Sequence, residues 1–478
     1  MTSTDALTLA LAGIDVTKAR IDTLARNISN AQNPGYTEKT QAQTTGTLGV
    51  AELSPVTRNV DAFLQNSLNS ATANANQLTV TVNLLSNIES SFGAPNADTS
   101  LSASISNLQN AFQDLSTNPE QSAGLTSVIN AAGTLARTLN KLSQTVTDTN
   151  TDAQQQIQQD VTTINTTLQS IADINQQIAQ HTGNEDVTDE EDQRDQLVST
   201  LSGLIGVTTF TKADGELAVY TTDGKPLVDA TVATLAVGGT TGITWSIPNQ
   251  PPLPIAVSTG TLAGLLGLQN TTLPQIQSQL DDIARALTVE FNTVNVPLFS
   301  DGGTSALNGT AFAAQPATET NPANPAQVTG YAARIAVNLA VVATPSILHD
   351  GAVPPNLTAA APALAPGDTT VINNALALFN RTNIAFTATT GLPASGSFVQ
   401  VTTQFVTATS ALRANTQSSL DSENALIQTI KNKISTQSGV NIDNEVAQLQ
   451  ALQNAYSANA RVLTTSKALF DILFQSMA

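Results

Sequence analysis

Hydrophobic residues recur at every seventh position near both ends of the chain. The first series is Leu7, Ile14, Ile21 and Ile28, and Leu11 stands between its first two members. The second series is Ile442, Leu449, Tyr456, Leu463 and Phe470. Sevenfold spacing over several turns is typical of helices that supercoil against another helix. We therefore predict that the two ends form a coiled coil that serves in assembly; the alternative is two ordinary amphipathic helices on a globular core.

Helical patterns continue inward from both ends. Positions 64–92 keep the seven-residue step, 101–115 follow steps of four and three, and a long pattern runs from about 120 to 180. Thr188 followed by Glu191 is typical of a capping box, so we predict another helix from there to about Ile205. A helical pattern returns from about 401 to 436 and ends before Gly439. These stretches predict a layer of long helices next to the terminal coil.

The pattern changes in the middle of the chain. Residues 207–220 alternate between polar and apolar and contain Asp214-Gly215, which is typical of a hairpin turn. A second strand-like run at 241–247 contains Trp245. Residues 260–296 have a helical pattern, but Pro274 is expected to interrupt or kink that helix. The middle of the chain is therefore predicted to be rich in β-structure, with one long helix.

The order of these patterns predicts an α+β protein with a nested architecture, in which each inner domain is inserted into the next outer one. The terminal coiled-coil domain is predicted at 1–58 and 439–478, and the helical bundle domain at 59–206 and 398–438. The β-rich outer domain is predicted at 207–397, with its helix near 260–296. In such an arrangement, the two ends of the chain return to the same place.

A helix stop and a tight turn follow the first heptad series. Asn30 and Asn33 tolerate unusual backbone angles, and Pro34 disfavours helix at the residue before it. Pro34-Gly35 fits a type II turn with Gly35 at positive φ, and Tyr36 then begins an extended run. By itself this is an ordinary loop. Directly after a heptad helix near the start of a chain, it resembles the motif of the flagellar axial proteins, which form the rod, the hook and the hook–filament junction.

The last helical segment supports the same resemblance. Stretches at 438–445, 453–462 and 470–471 resemble the end helix of the hook-associated protein 1 family, as do 192–197, 205–207 and 260–295 in the middle. The resemblance covers roughly 1–207, 260–295 and 412–478, and residues 297–397 depart from it. It implies a structural subunit without enzymatic activity, located in the bacterial flagellum outside the cell, that joins the hook to the filament and is required for filament assembly.

The resemblance also implies partners and a route of export. The subunit would assemble with copies of itself in a ring or helix, with the hook protein below and a second hook–filament junction protein above. A flagellar export chaperone would bind its C-terminal helix, and the type III apparatus would export it without a cleaved signal peptide. Another axial protein, either a hook or a rod subunit, and a secreted coiled-coil adhesin are the alternatives.

Acidic residues strongly outnumber basic ones. The chain has 37 Asp and Glu against 18 Lys and Arg, a formal net charge of −19. Such a surface repels phosphate backbones and anionic lipids, so we expect neither nucleic acid nor membrane as a partner. The first five residues carry an acid and no base, unlike the start of a secretory signal. The absence of Cys excludes disulfides and thiolate chemistry.

The residue patterns predict no catalytic site, no cofactor site and no metal site. The two histidines, His181 and His349, lack the helical spacing of a zinc peptidase. We expect His181 at a helix end and His349 in a turn. The acidic run at 185–192 lacks the spacing of a calcium loop, so its acids are expected to serve the positive end of the following helix. These absences argue against an enzyme domain inserted between helical arms.

Overall fold

The computed structural model describes residues 3–33, 35–46, 49–93, 100–181, 185–213, 215–238, 242–301, 329–352 and 363–477. Long helices lie at both ends, and small antiparallel sheets lie between them, so the predicted α+β class is confirmed. The helices are α1 (Ser3–Asn30), α2 (Ala62–Phe92), α3 (Leu101–Thr117), α4 (Ser122–Gln180), α5 (Thr188–Leu204), α6 (Thr261–Gly267), α7 (Leu273–Thr293), α8 (Leu339–Ala343), α9 (Ile347–Asp350), α10 (Thr370–Asn380), α11 (Phe398–Ser438) and α12 (Ile442–Met477).

The strands form two- and three-stranded antiparallel sheets, and β5–β6–β7 and β8–β9–β10 are the three-stranded ones. The strands are β1 (Lys39–Thr40), β2 (Gln43–Thr45), β3 (Ala51–Leu53), β4 (Thr57–Arg58), β5 (Val207–Thr211), β6 (Leu217–Thr221), β7 (Pro226–Val228), β8 (Thr234–Gly238), β9 (Gly242–Ser246), β10 (Leu253–Ile255), β11 (Phe299–Asp301), β12 (Ile335–Val337), β13 (Ile384–Ala385) and β14 (Ser395–Gly396).

The predicted hairpin at 207–220 is formed by β5 and β6, with Val207 opposite Thr221 and Thr211 opposite Leu217. Gly215 in its turn has φ +86°, which an L side chain rarely adopts. Asp214 of the same turn lies outside the described residues. Trp245 lies on β9, where its indole N–H donates to the Pro226 carbonyl at 2.7 Å.

The chain forms two compact units. The first comprises Met1–Gln77, Gln159–Ala263 and Leu420–Ala478, and the second Leu78–Gln158 and Gly264–Ser419. Residues 207–263 belong to the first unit, and 264–397 belong to the second. The predicted boundaries of three nested domains stay a prediction.

Two asparagines of α4 hold the small sheets in the first unit. The Asn165 amide donates to the Leu235 carbonyl and accepts from the Leu235 N–H, both at 2.8 Å. Asn175 makes the same pair of hydrogen bonds with Leu217, at 2.8 and 3.0 Å. A side-chain amide can replace a neighbouring strand in this way, because it offers one donor and one acceptor. These four hydrogen bonds fix β6 and β8 to α4.

The second unit has its core around α7. Leu280, Ile283, Leu287 and Phe291 are fully buried there. Phe112, Phe291, Phe299 and Phe379 form an aromatic cluster with ring centroids 5.7 to 6.2 Å apart. Part of the stretch 297–397, predicted as partly β, contributes α8–α10 and β11–β14 to this unit.

Acidic side chains on α7 bind two loops of the second unit. Asp281 accepts hydrogen bonds from the Gly330 and Ala332 N–H groups at 2.7 and 2.8 Å. Asp282 accepts from the Thr387 N–H at 2.6 Å and from Arg285 Nε at 2.7 Å. Burial raises the pKa of Asp281, and the two backbone donors partly offset that rise. The loops around 330 and 387 are thus attached to the helix by buried carboxylates.

Pro274 does not end the helical stretch that contains it. A π turn at Leu268–Thr272 joins α6 to α7, and the Leu273 N–H donates to the Leu268 carbonyl five residues back. Proline has no N–H for the carbonyl four residues before it, and a wider turn accommodates that missing bond without breaking the helix. The predicted interruption is therefore a local change of helix type.

Candidate functional site at the junction of the terminal helices

The predicted turn lies directly after α1. The Asn33 N–H donates to the Asn30 carbonyl at 2.9 Å, and the Asn33 amide donates to Asn30 Oδ1 at 2.6 Å. The Tyr36 N–H donates to the Asn33 carbonyl at 3.2 Å, and Gly35 has the predicted positive φ, +83°. Pro34 lies outside the described residues.

Asn27, one helical turn before that stop, joins four segments. Its Oδ1 accepts from the Tyr36 hydroxyl at 2.9 Å and from the Lys39 N–H at 3.1 Å. Its Nδ2 donates to the Lys39 carbonyl at 2.8 Å and to Glu445 Oε2 at 3.2 Å. Asn27 is fully buried. A single amide thereby connects α1, the turn, β1 and the start of α12.

Burial also changes the pKa of Tyr36. Removal of its hydroxyl from water raises the pKa of Tyr36 to about 12, although the charge of Arg26 acts in the opposite direction. The phenol therefore stays protonated at neutral pH and donates to Asn27.

Lys39 is the buried cation of the junction. Its side chain is fully shielded from solvent, and its ammonium group pairs with Asp189 and lies 3.7 Å from Asp192. The ring of Tyr36 lies below it, 4.6 Å from Nζ to the ring centroid. Burial lowers the pKa of Lys39, and Asp192 and Asp186 oppose that shift. Both carboxylates come from the start of α5 or the loop before it.

Arg58 is surrounded by three carboxylates. Its Nε lies 2.8 Å from Glu191, and its Nη1 lies 2.8 Å from Asp192 and 2.7 Å from Asp195. Burial lowers the pKa of Arg58, but Asp195, Asp192 and Glu191 together raise it above its ordinary value. These contacts attach β4 to α5, which is more than 130 residues away in sequence.

Asp186 supplies the cap that was predicted for Thr188. α5 begins at Thr188 itself, so the predicted capping box between Thr188 and Glu191 is wrong. Asp186 Oδ1 accepts from the Thr188 N–H at 3.2 Å and from its hydroxyl at 2.6 Å, while Arg26 binds Oδ2 at 2.7 Å. Burial raises the pKa of Asp186, but the hydrogen bonds from Thr188 and Arg26 hold it below the usual range.

The ion-paired residues of this region form one cluster, which we call the charged junction: Arg26, Lys39, Arg58, Asp186, Asp189, Glu191, Asp192 and Asp195.

The acidic run at 185–192 therefore has a larger role than was expected. Its acids lie at the start of α5, as predicted, but several of them also bind the cations of α1, β1 and β4. Sequence reasoning missed Asn27, Lys39 and Arg58. Their local neighbours carried no signal, since Asp189 lies 150 positions from Lys39, Glu191 lies 133 from Arg58, and Glu445 lies 418 from Asn27.

The terminal helices pack against each other in antiparallel orientation. Asn27 contacts Glu445, and a Cβ added at Gly13 would lie 2.7 Å from the Asn459 amide. Most of the buried residues of α1 are small or polar: Ala10, Val16, Thr17, Thr23, Leu24 and Asn27. The predicted residues Leu7, Ile14, Ile21 and Ile28 lie on the flank, half-buried, and Leu11 is 51% exposed.

The predicted residues of α12 are divided between two environments. Leu449, Leu463 and Phe470 are half-buried, while Ile442 and Tyr456 are each 42% exposed. Glu445, Leu452, Asn459 and Ser466 form a second series at seven-residue steps and are buried or half-buried. The seven-residue spacing was predicted from the sequence. On α1, however, the buried residues Ala10, Thr17 and Leu24 each lie three positions after a predicted residue. The assignment of these residues to assembly stays a prediction.

Metal ligands, membrane-spanning helices and the two histidines are the other features that bear on function. No group of three His, Asp or Glu that could bind a metal ion occurs in the described part of the chain. The helices of the described ranges include none long and apolar enough to cross a membrane. His181 lies just after α4, as expected, with Nδ1 2.8 Å from the Gln177 carbonyl. His349 is buried in the short helix α9 rather than in a turn, and its Nδ1 lies 2.7 Å from Asp350 Oδ1.

The chain matches two family models. Residues 85–302 match the flagellar hook-associated protein FlgK helical domain, and residues 433–476 match the flagellar basal body rod FlgEFG protein C-terminal model. Curated relatives include flagellar hook-associated protein 1 of Escherichia coli (strain K12) and of Salmonella typhimurium. Both are 26% identical to this chain, and both alignments cover 97% of this chain and 98% of the relative.

Other similarities cover about half of the chain. The hook-associated protein 1 of Bacillus subtilis (strain 168) is 24% identical over 48% of this chain and 48% of its own length. The solved structure of the flagellar hook junction protein FlgK from Burkholderia pseudomallei aligns with a TM-score of 0.46 and 25% identity. That alignment covers 50% of this chain and 47% of the other.

Replacement of Arg58 by Gln tests the charged junction. The substitution leaves Glu191, Asp192 and Asp195 close together without their shared cation, so we expect the first unit to lose about 3 kcal/mol of unfolding free energy. Urea unfolding at neutral pH measures the loss. Lys212→Gln is the matched control, because Lys212 pairs with Glu216 and Asp229 on the surface and should change stability little. Equal effects of the two substitutions would contradict a structural role for the junction.

Glu445→Gln tests the buried end of α12. Burial raises the pKa of Glu445 above its ordinary 4.5, and nearby Glu38 adds to the rise. The folded chain then binds more protons than the unfolded chain, so this group lowers stability as pH rises above 4.5. We expect the variant to be more stable than the native chain at pH 7, by a margin that disappears on acidification. Urea unfolding between pH 4 and 8 measures the difference in stability between the variant and the native chain. Glu52→Gln, at an exposed position, is the control. If the stability of Glu445→Gln and of the native chain changed with pH in the same way, the raised pKa of Glu445 would be refuted.

Proposed function

We propose that the chain belongs to the flagellar hook-associated protein 1 family and that it is a structural subunit joining the flagellar hook to the filament and required for filament assembly. The observation that carries this proposal is the alignment with two hook-associated proteins over 97% of this chain and 98% of each relative. An alignment of that extent includes both terminal helices and the middle of the chain.

The geometry supports a subunit whose two ends act together. α1 and α12 are antiparallel partners, and Asn27 joins both to the turn. The charged junction then attaches β1 and β4 to α5. A load on the paired terminal helices would pass through these buried contacts to the rest of the first unit. An adhesin with independent coiled-coil arms would need no such connection.

The proposal includes partners and a location. The subunit contacts copies of itself, the hook protein on one side and a second junction protein on the other. An export chaperone binds its C-terminal helix before it leaves the cell, without a cleaved signal peptide. A hook or rod subunit is the second candidate, because residues 433–476 match a rod-protein model. The match of 85–302 to the hook-associated helical domain favours the junction.

Deletion of the gene tests the role directly. We expect cells that carry hooks without filaments and that shed flagellin into the medium, with filaments restored by a plasmid copy. Electron microscopy of the cell surface and immunoblots of the medium measure both effects. Cells that lack hooks as well would point to the rod or hook subunit, and normal filaments would refute the proposal.

Gly35→Val tests the turn. Gly35 has φ +83°, and an added Cβ would lie 2.6 Å from the Gln196 amide, so valine adds backbone strain of about 1–3 kcal/mol at the junction. We expect the plasmid copy with this change to restore fewer filaments than the native copy. Gly224→Val is the control, since Gly224 has the same φ, +83°, with no atom within 4 Å of its added Cβ. Equal restoration by both variants would show that the turn does not matter for assembly.

A further inference from the structure

The joint between α11 and α12 is closed by residues from the start of the chain. The last carbonyls of a helix have no partner within that helix. At the end of α11, the Gln437 carbonyl accepts from Asn59 Nδ2 at 2.8 Å, and the Ser438 carbonyl accepts from the Glu38 N–H at 3.2 Å. The segment around Glu38 therefore caps α11 at the point where the chain turns into α12.

Two glutamates meet at this joint. Glu38 follows the turn, and Glu445 lies in the first turn of α12. Their carboxyl groups lie within hydrogen-bonding reach of each other, and both line a cavity of about 200 Å³. Glu445 is 1% exposed. Two ionised carboxylates cannot bond to each other, because each of them can only accept a hydrogen bond.

The neighbouring amides give one donor to each carboxyl and none to the contact between them. Asn27 Nδ2 donates to Glu445 Oε2 at 3.2 Å, and Asn59 Nδ2 donates to Glu38 Oε2 at 2.9 Å. A hydrogen bond between the two carboxyls therefore requires a proton on one of them. Paired carboxyls commonly share one proton, since like charges at short range disfavour ionisation of both.

The charged groups around the pair do not take the place of that proton. The Lys39 ammonium lies beside the same cavity, but it pairs with Asp189. Tyr36, with its pKa raised to about 12, is uncharged at neutral pH. Arg20 of α1 lines the cavity, and within the described residues no ion pair joins it to either glutamate. Burial raises the pKa of Glu445, and the charge and hydrogen bond of Glu38 add to the rise.

We propose that Glu38 and Glu445 share one proton and form a pH-dependent latch between the start of α12 and the segment that caps α11. With the proton in place, Glu445 donates to Glu38 and the joint is closed. Once the proton leaves, two like charges face each other, and the cavity has room for several waters that hydrate them. The start of α12 then separates from the capping segment. The latch lies within a single chain, so it does not depend on the proposed function.

The direction of the pH dependence follows from the raised pKa of Glu445. The folded chain holds this proton more tightly than the unfolded chain, in which the carboxyl has its ordinary pKa of 4.5. The stability that the proton gives to the joint is therefore fully present below pH 4.5 and is lost as pH rises through the folded-state pKa. The joint loosens on the alkaline side.

Hydrogen exchange in the purified full-length chain tests the latch. The backbone amides of 442–448 are followed between pH 5 and 8, with rates corrected for the intrinsic effect of pH on exchange. We expect their protection in the native chain to fall at least tenfold, the effect of about one pKa unit. Amides of the buried face of α4 should keep their protection and serve as the internal reference.

Glu38→Gln is the informative variant, with Asp443→Asn as its matched control. The amide of glutamine can donate to ionised Glu445 at every pH, so protection of 442–448 should change by no more than about twofold. Glu445→Gln should behave in the same way, by donating to Glu38. Asp443 is an exposed acid in the same first turn of α12, and its variant should keep the native tenfold fall.

Three results would overturn the latch. The first is native protection that does not change with pH, and the second is a start of α12 that is unprotected even at pH 5. The third is a Glu38→Gln chain that loses protection as the native chain does, which would assign the pKa rise to burial of Glu445 alone.

Carbon NMR of a chain labelled at the glutamate carboxyls locates the proton itself. The signal that disappears in Glu445→Gln belongs to Glu445. We expect this carboxyl to titrate above pH 4.5 in the native chain and about one unit lower in Glu38→Gln. Unchanged titration in Glu38→Gln would show that the two glutamates do not share a proton. The native titration alone, at or below pH 4.5, would contradict the proposal even if the variants did not fold.

Discussion

The buried Asn27 amide and the buried Lys39 ammonium lie where α1, the turn, the start of α5 and the start of α12 meet. Neither group can be left without partners, because an unpaired buried ion costs several kcal/mol and an unpaired amide about 1–3. Their partners come from segments as far apart as Tyr36 and Glu445. To satisfy both groups, the chain must bring those segments together in one arrangement. The placement of the two terminal helices therefore depends on polar contacts more than on the hydrophobic seam.

The composition of the α1–α12 pairing explains why it needs such contacts. Ala10, Gly13 and Thr17 allow the helices to approach closely, but they bury little apolar surface, and Ala10 and Thr17 do not by themselves select a register. Asn27 with Glu445 and Gly13 with Asn459 permit only one alignment. A single buried polar residue in a coiled coil selects the register at some cost in stability. The raised pKa of Glu445 reflects that cost.

Local features were predictable from the sequence, and features that depend on distant residues were not. The positive φ of Gly35 follows from its own turn, and the long helices and the hairpin at 207–220 follow from spacing. The face of α1 that meets α12 did not follow, because small residues make the contact and large ones flank it. The ion pairs of Lys39 and Arg58 with α5 are tertiary, so no window of sequence contains both partners. Pro274 was correctly flagged, but whether a proline breaks a helix or is absorbed by a π turn depends on the surrounding core.

The distribution of charge reconciles an acidic chain with assembly. Copies with a net charge of −19 repel each other, and at physiological salt that repulsion is screened beyond about 8 Å. Contact between copies therefore requires surfaces that carry little negative charge at close range. Arg26, Lys39 and Arg58 offset part of the negative charge at the start of α5, and the long middle of α12 has no acidic residue. Acidic residues elsewhere add to the repulsion between separate copies, whereas the middle of α12 contributes no negative charge to it.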